Sequence, residues 1–176
     1  MRRSNRTASP FILAFALAIA MLNAANTAQA DEPSIPAPNP NFQALRVHFG
    51  PFKCVFTIKD KTYHLTGVTE LSPDGRRAVT HDPDNVYFQN QWYDAQRKIW
   101  IKTAIFTFLG LDFSATSPGW SGGQLEFDGL VSIRDNSLPF RAISNSLGGG
   151  VMKTVEQIQE QDSNWHTLDT QVCGPA

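Results

Sequence analysis

Residues 52–59 read FKCVFTIK, a stretch in which Phe52, Cys54 and Phe56 alternate with mostly polar neighbours. Alternation with a period of two is typical of a β-strand with one buried face, because successive side chains of a strand point to opposite sides. The sequence therefore predicts that the fold begins with a half-buried strand.

Short turn sequences separate this strand from a series of others. Residues 72–75 (SPDG) and 82–85 (DPDN) combine proline, aspartate and glycine or asparagine, which tight turns favour. Residues 94–98 separate two aromatic-rich runs and predict a hairpin. No long amphipathic helix is predicted between the strands, so the strands must be antiparallel.

Residues 124–133 allow two interpretations, because Asp128-Gly129 is a typical two-residue hairpin turn. A turn at this point would split the apolar side chains between two faces. A continuous strand keeps Leu125 and Phe127 on the same face as the apolar residues that follow. The second interpretation is favoured, with Gly129 as a bulge or a point of close approach.

Residues 1–30 have the features of a cleavable signal peptide. A basic start precedes the apolar run of residues 11–22, and residues 28–30 (AQA) offer a small-x-small cleavage pattern after Ala30. The run is too short for a membrane helix, which needs about 20 residues. The sequence predicts a periplasmic or secreted protein with no stable membrane anchor after processing.

The remaining chain is predicted to be a leader followed by one domain. Residues 31–41 contain four prolines and predict an extended leader. Phe42, Leu45 and Phe49 then follow at helical spacing, which predicts a short N-terminal helical turn acting as a lid. Residues 42–176 are expected to form a single β-barrel domain.

The two cysteines are expected to form a disulfide, since an exported protein meets an oxidising compartment. Cys54 lies in the first strand and Cys173 ends the last, and these strands are neighbours in an up-and-down barrel. The fold prediction is therefore all-β: an antiparallel up-and-down β-barrel of about 8–10 strands, closed on itself.

The position of Cys173 leaves one alternative open. Its strand phase is shared with Asp169 and is opposite to that of Leu168 and Val172. Either a bulge near Thr170 shifts the register, or Cys173 belongs to a tail that crosses the barrel end.

Charge excludes one class of partner. Without the signal peptide, the chain carries 12 basic and 16 acidic residues, a net charge of −4, and has no cluster of Lys and Arg. Nucleic-acid binding needs a basic surface to neutralise phosphates, so no nucleic-acid partner is expected.

Four local patterns occur in a characteristic order. They are Gly50-Pro51-Phe52-Lys53-Cys54, Trp92-Tyr93-Asp94-Ala95-Gln96-Arg97-Lys98, Ser117-Pro118-Gly119-Trp120 and Leu125-x-Phe127-x-Gly129. Together with a terminal strand that ends in cysteine, they resemble the patterns of a family of secreted bacterial proteins. The shared domain of that family is a domain of unknown function. The resemblance covers most of residues 50–173. It implies a calycin-like (lipocalin-like) barrel and carries no catalytic residues.

Aromatic side chains are concentrated in the middle of the chain and are the candidates for a binding pocket. These candidates are Phe56, Phe88, Trp92, Trp100, Phe106, Trp120 and Phe127. A barrel of about eight strands either fills its interior with side chains or leaves room for one small ligand. Both alternatives remain open from the sequence.

Evidence for a cofactor, a metal or catalysis is sparse. His166 shares a phase with Leu168 and is the one candidate haem ligand, while residues 81–84 (HDPD) are better explained as a turn than as an ion site. No cofactor, metal or catalytic residue is expected. Ser121 lacks the G-x-S-x-G spacing, and four carboxylates would matter only if the fold brought them together. These four are Asp112, Glu126, Asp128 and Glu156.

The leading hypothesis is an exported barrel that binds a small lipophilic or amphipathic ligand beneath the lid. The alternative is an envelope protein-interaction module with a filled core, which would show an exposed apolar patch and no pocket. A haem-binding barrel or an enzyme of unknown type comes third.

Overall fold

The computed structural model describes residues 41–134 and 136–176. The predicted signal peptide and residues 31–40 of the leader lie outside this part of the chain. In chain order, the elements are α1 (Asn41–Leu45), β1 (Gly50–Ile58), β2 (Lys61–Leu71), β3 (Arg77–His81), β4 (Tyr87–Asp94), β5 (Ile99–Phe106), a 3₁₀ turn (Thr107–Leu109), β6 (Leu111–Ser117), β7 (Trp120–Ser121), β8 (Gln124–Ile133), β9 (Asn136–Gly148), β10 (Val151–Gln159) and β11 (Trp165–Pro175).

The strands form a closed barrel. Apart from β6 and β7, strands that follow one another in the chain pair antiparallel; β1 also pairs with β11, and β6 pairs with β8. Ten strands of the described residues thus close into an up-and-down ring, and the two-residue β7 pairs with β8 alone. The predicted all-β barrel with one short helix is confirmed.

Aspartate side chains build the predicted turns. Asp82 accepts hydrogen bonds from the backbone N–H groups of Asp84 (3.1 Å) and Tyr87 (2.6 Å). Asp94 likewise accepts from two backbone N–H groups of the next turn. Because these carboxylates satisfy turn amides that no strand partner reaches, each turn reverses the chain sharply and sets the strand register.

Residues 124–133 form one strand, as predicted, and Gly129 is its point of close approach. A Cβ on Gly129 would overlap the carbonyl oxygen of Ser114 and the backbone of Ala115. Only glycine lets strands β6 and β8 approach so closely at the position where the ring closes.

The disulfide joins the first and last strands of the ring. Cys54 and Cys173 are direct cross-strand partners with Cα atoms 4.1 Å apart. The predicted pairing is therefore confirmed. A register bulge lies at Leu168, two residues from Thr170 and opposite the step from Glu156 to Gln157, so the bulge alternative is confirmed and Cys173 is not part of a tail. It places Asp169 and Cys173 on the inner face of a regular strand.

The two ends of the barrel differ, and we name them by the helix. The lid end is where β1 and β5 begin and α1 lies, and the far end is where these strands finish. Buried rings fill the far end, where Phe113 and Phe140 stack with centroids 4.6 Å apart and Tyr87 lies 4.6 Å from Phe106. No helix among residues 41–134 and 136–176 is long and apolar enough to cross a membrane.

Candidate functional site

A cavity of about 190 Å³ occupies the lid-end half of the barrel. One part of its wall is apolar and includes Phe52, Phe56, Leu125, Phe127 and Met152. Another part is polar and consists of Thr69, Thr80, Gln89, Gln91, Lys102, Ser144, Thr154 and Gln171. The wall is therefore amphipathic, unlike the aromatic far end.

Helix α1 closes the cavity from above. Its Phe42 is buried, 5.4 Å from the Trp100 ring, and Leu45 lines the cavity. The Trp120 indole N–H donates to the Leu45 carbonyl oxygen at 3.4 Å, and the Arg46 guanidinium lies 4.7 Å from the Trp120 ring centroid. Ring packing, one hydrogen bond and one cation–π contact thus hold the lid in place.

The cavity reaches the surface beside the lid. Arg46 and His48 are exposed and also line the cavity, next to Gly150 and Gly174. A Cβ on Gly150 would contact Pro175 and a Cβ on Gly174 would contact Val151, so the chain packs closely at this part of the rim. The cavity meets the surface between the segment that follows α1 and the turn that joins β9 to β10.

Lys102 lies on the inner face of β5, between the buried residues Trp100 and Ala104. Its Nζ lies 5.3 Å from the Phe113 ring centroid and 5.7 Å from that of Phe127. Burial lowers the pKa of this ammonium, although the nearby carboxyl groups of Glu156 and Asp169 act in the opposite direction.

A carboxyl pair lies next to Lys102 in the barrel interior. Glu156 on β10 and Asp169 on β11 face each other across the two strands and are 1% and 5% exposed. They share a hydrogen bond, and the Gln171 amide donates to Asp169 at 3.3 Å. Burial raises the pKa of Glu156, and raises that of Asp169 to about 8 with the help of the Glu156 charge. The pair therefore keeps at least one proton at neutral pH.

Lys102 and the pair attract each other without direct contact. Within the described part of the chain, no carboxylate oxygen lies within 4.0 Å of the Lys102 nitrogen. Tyr87 lies at the edge of the same region, where burial raises its pKa, and its hydroxyl donates to the Gln89 side chain at 2.7 Å. The interior thus holds a primary amine and a protonated acid close to one small cavity.

The structure divides the seven predicted pocket residues into three groups. Phe56 and Phe127 line the cavity. Trp100 packs under the lid, Trp120 holds the lid from outside, and Phe106 belongs to the far-end core. Two remain, Phe88 and Trp92, and neither is in the cavity wall. Phe88 is 41% exposed and Trp92 lies under the Arg77 guanidinium, so the prediction is corrected for both.

The haem-ligand candidate lies on the surface. His166 is exposed and its Nε2 lies 3.0 Å from Asp162, in the turn that precedes β11. The register pairs His166 with Ile158, whose side chain is buried, so His166 lies at the end of β11 on the inner side of the sheet. Its ring is nevertheless exposed at the barrel end and lies against Asp162.

The other candidates also lie outside the cavity. Asp82 is occupied by turn amides, and no group of three or more His, Cys, Asp or Glu side chains in the described residues is placed to hold a metal ion. Of the four scattered carboxylates, only Glu156 faces inward. Asp112, Glu126 and Asp128 alternate with buried neighbours and face outward, and Ser121 is an exposed residue of β7.

Sequence reasoning missed Lys102, Asp169 and Gln171. A signal for Lys102 was present, because it shares the strand phase of Trp100 and Phe106. Asp169 and Gln171 share the phase of Cys173, the predicted partner of Cys54, but the apolar residues Leu168 and Val172 lie in the opposite phase and obscured this signal.

Comparisons with known proteins add little beyond the fold. No protein-family model matches the chain, and no curated protein matches it. Among solved structures, a distant match is a Thermobifida fusca protein provisionally assigned as a thioesterase II. The two share 11% sequence identity over 74% of this chain and 79% of that one, with a TM-score of 0.29. At this level, the likeness supports no conclusion about function.

Proposed function

We propose that this protein binds one small amphipathic ligand inside the lid-end half of its barrel. The observation that carries the proposal is the cavity of about 190 Å³ beneath α1, with both apolar and polar walls. An engineered cavity of about 150 Å³ holds benzene, so this one suits a single ring with a small substituent or a short chain.

The wall also indicates how such a ligand would lie. Its apolar part would contact Phe56, Phe127 and Met152. Its polar end would point towards Lys102 and Gln171, which offer N–H donors. Ligand sites of this kind combine a mostly apolar surface with a few placed polar groups.

We place this binding in the periplasm or outside the cell. The Cys54–Cys173 disulfide supports this location, since disulfides persist in oxidising compartments. The predicted signal peptide and the resemblance to secreted calycin-like barrels point the same way. Cleavage after Ala30 would release a chain that starts with the proline-rich leader.

A filled cavity should abolish binding. Ala78 is buried and lines the cavity, whereas its neighbour Val79 lies on the outer face of β3. Ala78→Leu adds three carbon atoms inside the cavity, and Val79→Leu is a matched control on the outer face. We expect p-cresol and benzene to raise the melting temperature of the wild type and of Val79→Leu, because ligands that bind only the folded state stabilise it.

The same experiment can reject the proposal. In Ala78→Leu, p-cresol and benzene should raise the melting temperature no more than glucose does. Glucose serves as the reference because it is too large and too polar for the cavity. If neither probe raises the melting temperature of the wild type more than that of Ala78→Leu, the cavity is not a binding site.

A second candidate function is supported by the outer surface. Phe88 and Ile105 are exposed cross-strand partners, and Leu130 lies with them along one shallow groove. Exposed apolar patches commonly mark protein contacts. A photo-crosslinker at Ile105 should then give adducts in the cell envelope that one at Thr57, across the barrel, does not. Equal adduct yields at both positions would remove this candidate.

A further inference from the structure

Lys102 differs from every other lysine of the chain. The five others are Lys53, Lys59, Lys61, Lys98 and Lys153, and all are exposed. Lys102 alone lies inside the barrel, where its accessible surface borders the cavity. Any small molecule that enters the cavity therefore meets this amine.

The surroundings of Lys102 favour a neutral ligand. The Lys102 amine is close to two carboxyl groups that share at least one proton, so the site holds at most one negative and one positive charge. An ionised carboxylate would repel an anion, and Lys102 in its protonated form would repel a cation. A neutral molecule with an oxygen acceptor avoids both penalties.

The spacing of the groups suits a reaction at the amine. No carboxylate oxygen of the described residues lies within 4.0 Å of the Lys102 nitrogen, so the amine forms no ion pair with a carboxyl group. The rings of Phe113 and Phe127 lie beside the same nitrogen, at the border of the cavity. Lysine amines in such surroundings are the ones that react with carbonyl compounds.

We propose that Lys102 captures a small aldehyde or ketone as a reversible imine, with the Glu156–Asp169 pair moving the protons. This inference rests on the proposed binding function and names the ligand class for that cavity. Aromatic aldehydes the size of benzaldehyde match the volume and the apolar wall.

The chemistry balances without any further reactant. The Lys102 lone pair attacks the carbonyl carbon, a C–N bond forms, and one amine proton passes to the oxygen to give a carbinolamine. The protonated carboxyl then donates its proton to the hydroxyl group, which leaves as water while the C=N bond forms. The remaining N–H proton returns to the carboxylate, which restores the pair.

The test is reductive trapping with benzaldehyde and cyanoborohydride at neutral pH, on the mature, exported protein. The hydride reduces the imine to a stable benzyl amine, and peptide mass mapping gives the labelling rate of each lysine. We expect Lys102 to be labelled at least ~10-fold faster than any exposed lysine, because its amine borders the cavity and burial lowers its pKa. Labelling of Lys102 at or below their rate would overturn the proposal.

Two variants separate capture by the amine from proton transfer by the pair. Lys102→Met keeps the side-chain length without an amine and should lose the fast adduct, whereas Val79→Leu should keep it. Asp169→Asn removes the titrating group and should slow trapping at Lys102 by ~10-fold or more while p-cresol binding persists. The comparison of six lysines within the wild type stands even if a variant fails to fold.

The outcome for p-cresol distinguishes this inference from the proposed function. This probe fits the same cavity but has no carbonyl group. If p-cresol binds and Lys102 is not trapped faster than the exposed lysines, the binding function stands and the capture of carbonyl compounds is wrong. If p-cresol fails as well, both proposals fail.

Discussion

The two halves of the barrel interior are built from different side chains. At the far end, aromatic rings pack in contact, as in the Phe113–Phe140 stack and the Tyr87–Phe106 pair. At the lid end, hydroxyl and amide side chains line an open cavity. One closed ring of strands thus contains a half filled by packed aromatic rings and a half that contains a cavity.

The unfilled half needs other sources of stability. The Cys54–Cys173 disulfide borders the cavity, and α1 covers it from above. Pairs of hydroxyl groups, such as Thr69 with Thr80 at 3.0 Å, satisfy the polar wall. Covalent linkage and hydrogen bonds at the lid end therefore replace the close packing of the far end.

The largest effect is expected from the disulfide. Replacing both Cys54 and Cys173 by alanine should lower the free energy of unfolding by about 5 kcal/mol, because the closed loop spans 119 residues of sequence. Urea denaturation of the oxidised wild type and the double variant measures this difference. A loss below about 1 kcal/mol would show that the lid-end half does not depend on the linkage.

A truncation in the filled half should have a slightly smaller effect. Phe140→Ala should lower the free energy of unfolding by about 4 kcal/mol, since Phe140 is 1% exposed and its ring is stacked on Phe113. Phe108→Ala is the control, because Phe108 is 51% exposed and should cost less than about 1 kcal/mol. Similar losses for the two variants would contradict the description of a packed far end.

The carboxyl pair between the halves should make stability depend on pH. The folded protein raises the pKa of Asp169 from an ordinary value near 4 to about 8, so it binds this proton more tightly than the unfolded chain. The resulting stability is complete at low pH and is lost as pH rises towards 8, by at most about 1.4 kcal/mol per pH unit. Asp169→Asn should flatten this slope in urea titrations between pH 5 and pH 7.

A surface carboxylate provides the control for this slope. The pKa of Asp74 is lowered, chiefly by its hydrogen bonds with the Ser72 hydroxyl and the Arg76 backbone N–H, so the group stays ionised across that range. Asp74→Asn should therefore leave the slope unchanged. If Asp169→Asn keeps the wild-type slope as well, the pair does not hold the extra proton.

The smallest predicted effect concerns the lid. Trp120→Phe removes the hydrogen bond to the Leu45 carbonyl and weakens the contact with Arg46. The loss of these two contacts should destabilise the closed position of the lid by about 1 kcal/mol. Amide hydrogen exchange between residues 42 and 47 should then quicken by about 5-fold. Trp92→Phe, on the outer wall, should leave these amides unchanged, and equal acceleration by both variants would rule out a specific lid contact.

The same contrast explains what the sequence could predict. In β1, the inner face is apolar, so alternation correctly placed Phe52, Cys54 and Phe56 inside. In β4 and β11, the inner faces carry polar residues such as Gln91 and Asp169. For these two strands, hydrophobic alternation predicted the wrong face as the inner one. Hydrophobic alternation locates the inside of a strand only where the inside is apolar, and the cavity half does not meet this condition.

The candidate site was therefore predictable only in part. Phe56 and Phe127 line the cavity, because large rings in an apolar phase are buried in either half. The Glu156–Asp169 pair depends on how β10 and β11 align after the bulge at Leu168, and no pattern within a single strand contains that information.

The central claim is that the lid-end half has room for a ligand, and Met152 tests it directly. Met152 lines the cavity and is the only methionine among the described residues, so ¹³C-methyl labelling of the mature protein gives one reporter signal. Titration with p-cresol should shift this signal in a saturable manner in the wild type and in Val79→Leu, but not in Ala78→Leu. A methyl signal that stays in place in the wild type, or one that moves equally in Ala78→Leu, would contradict the account.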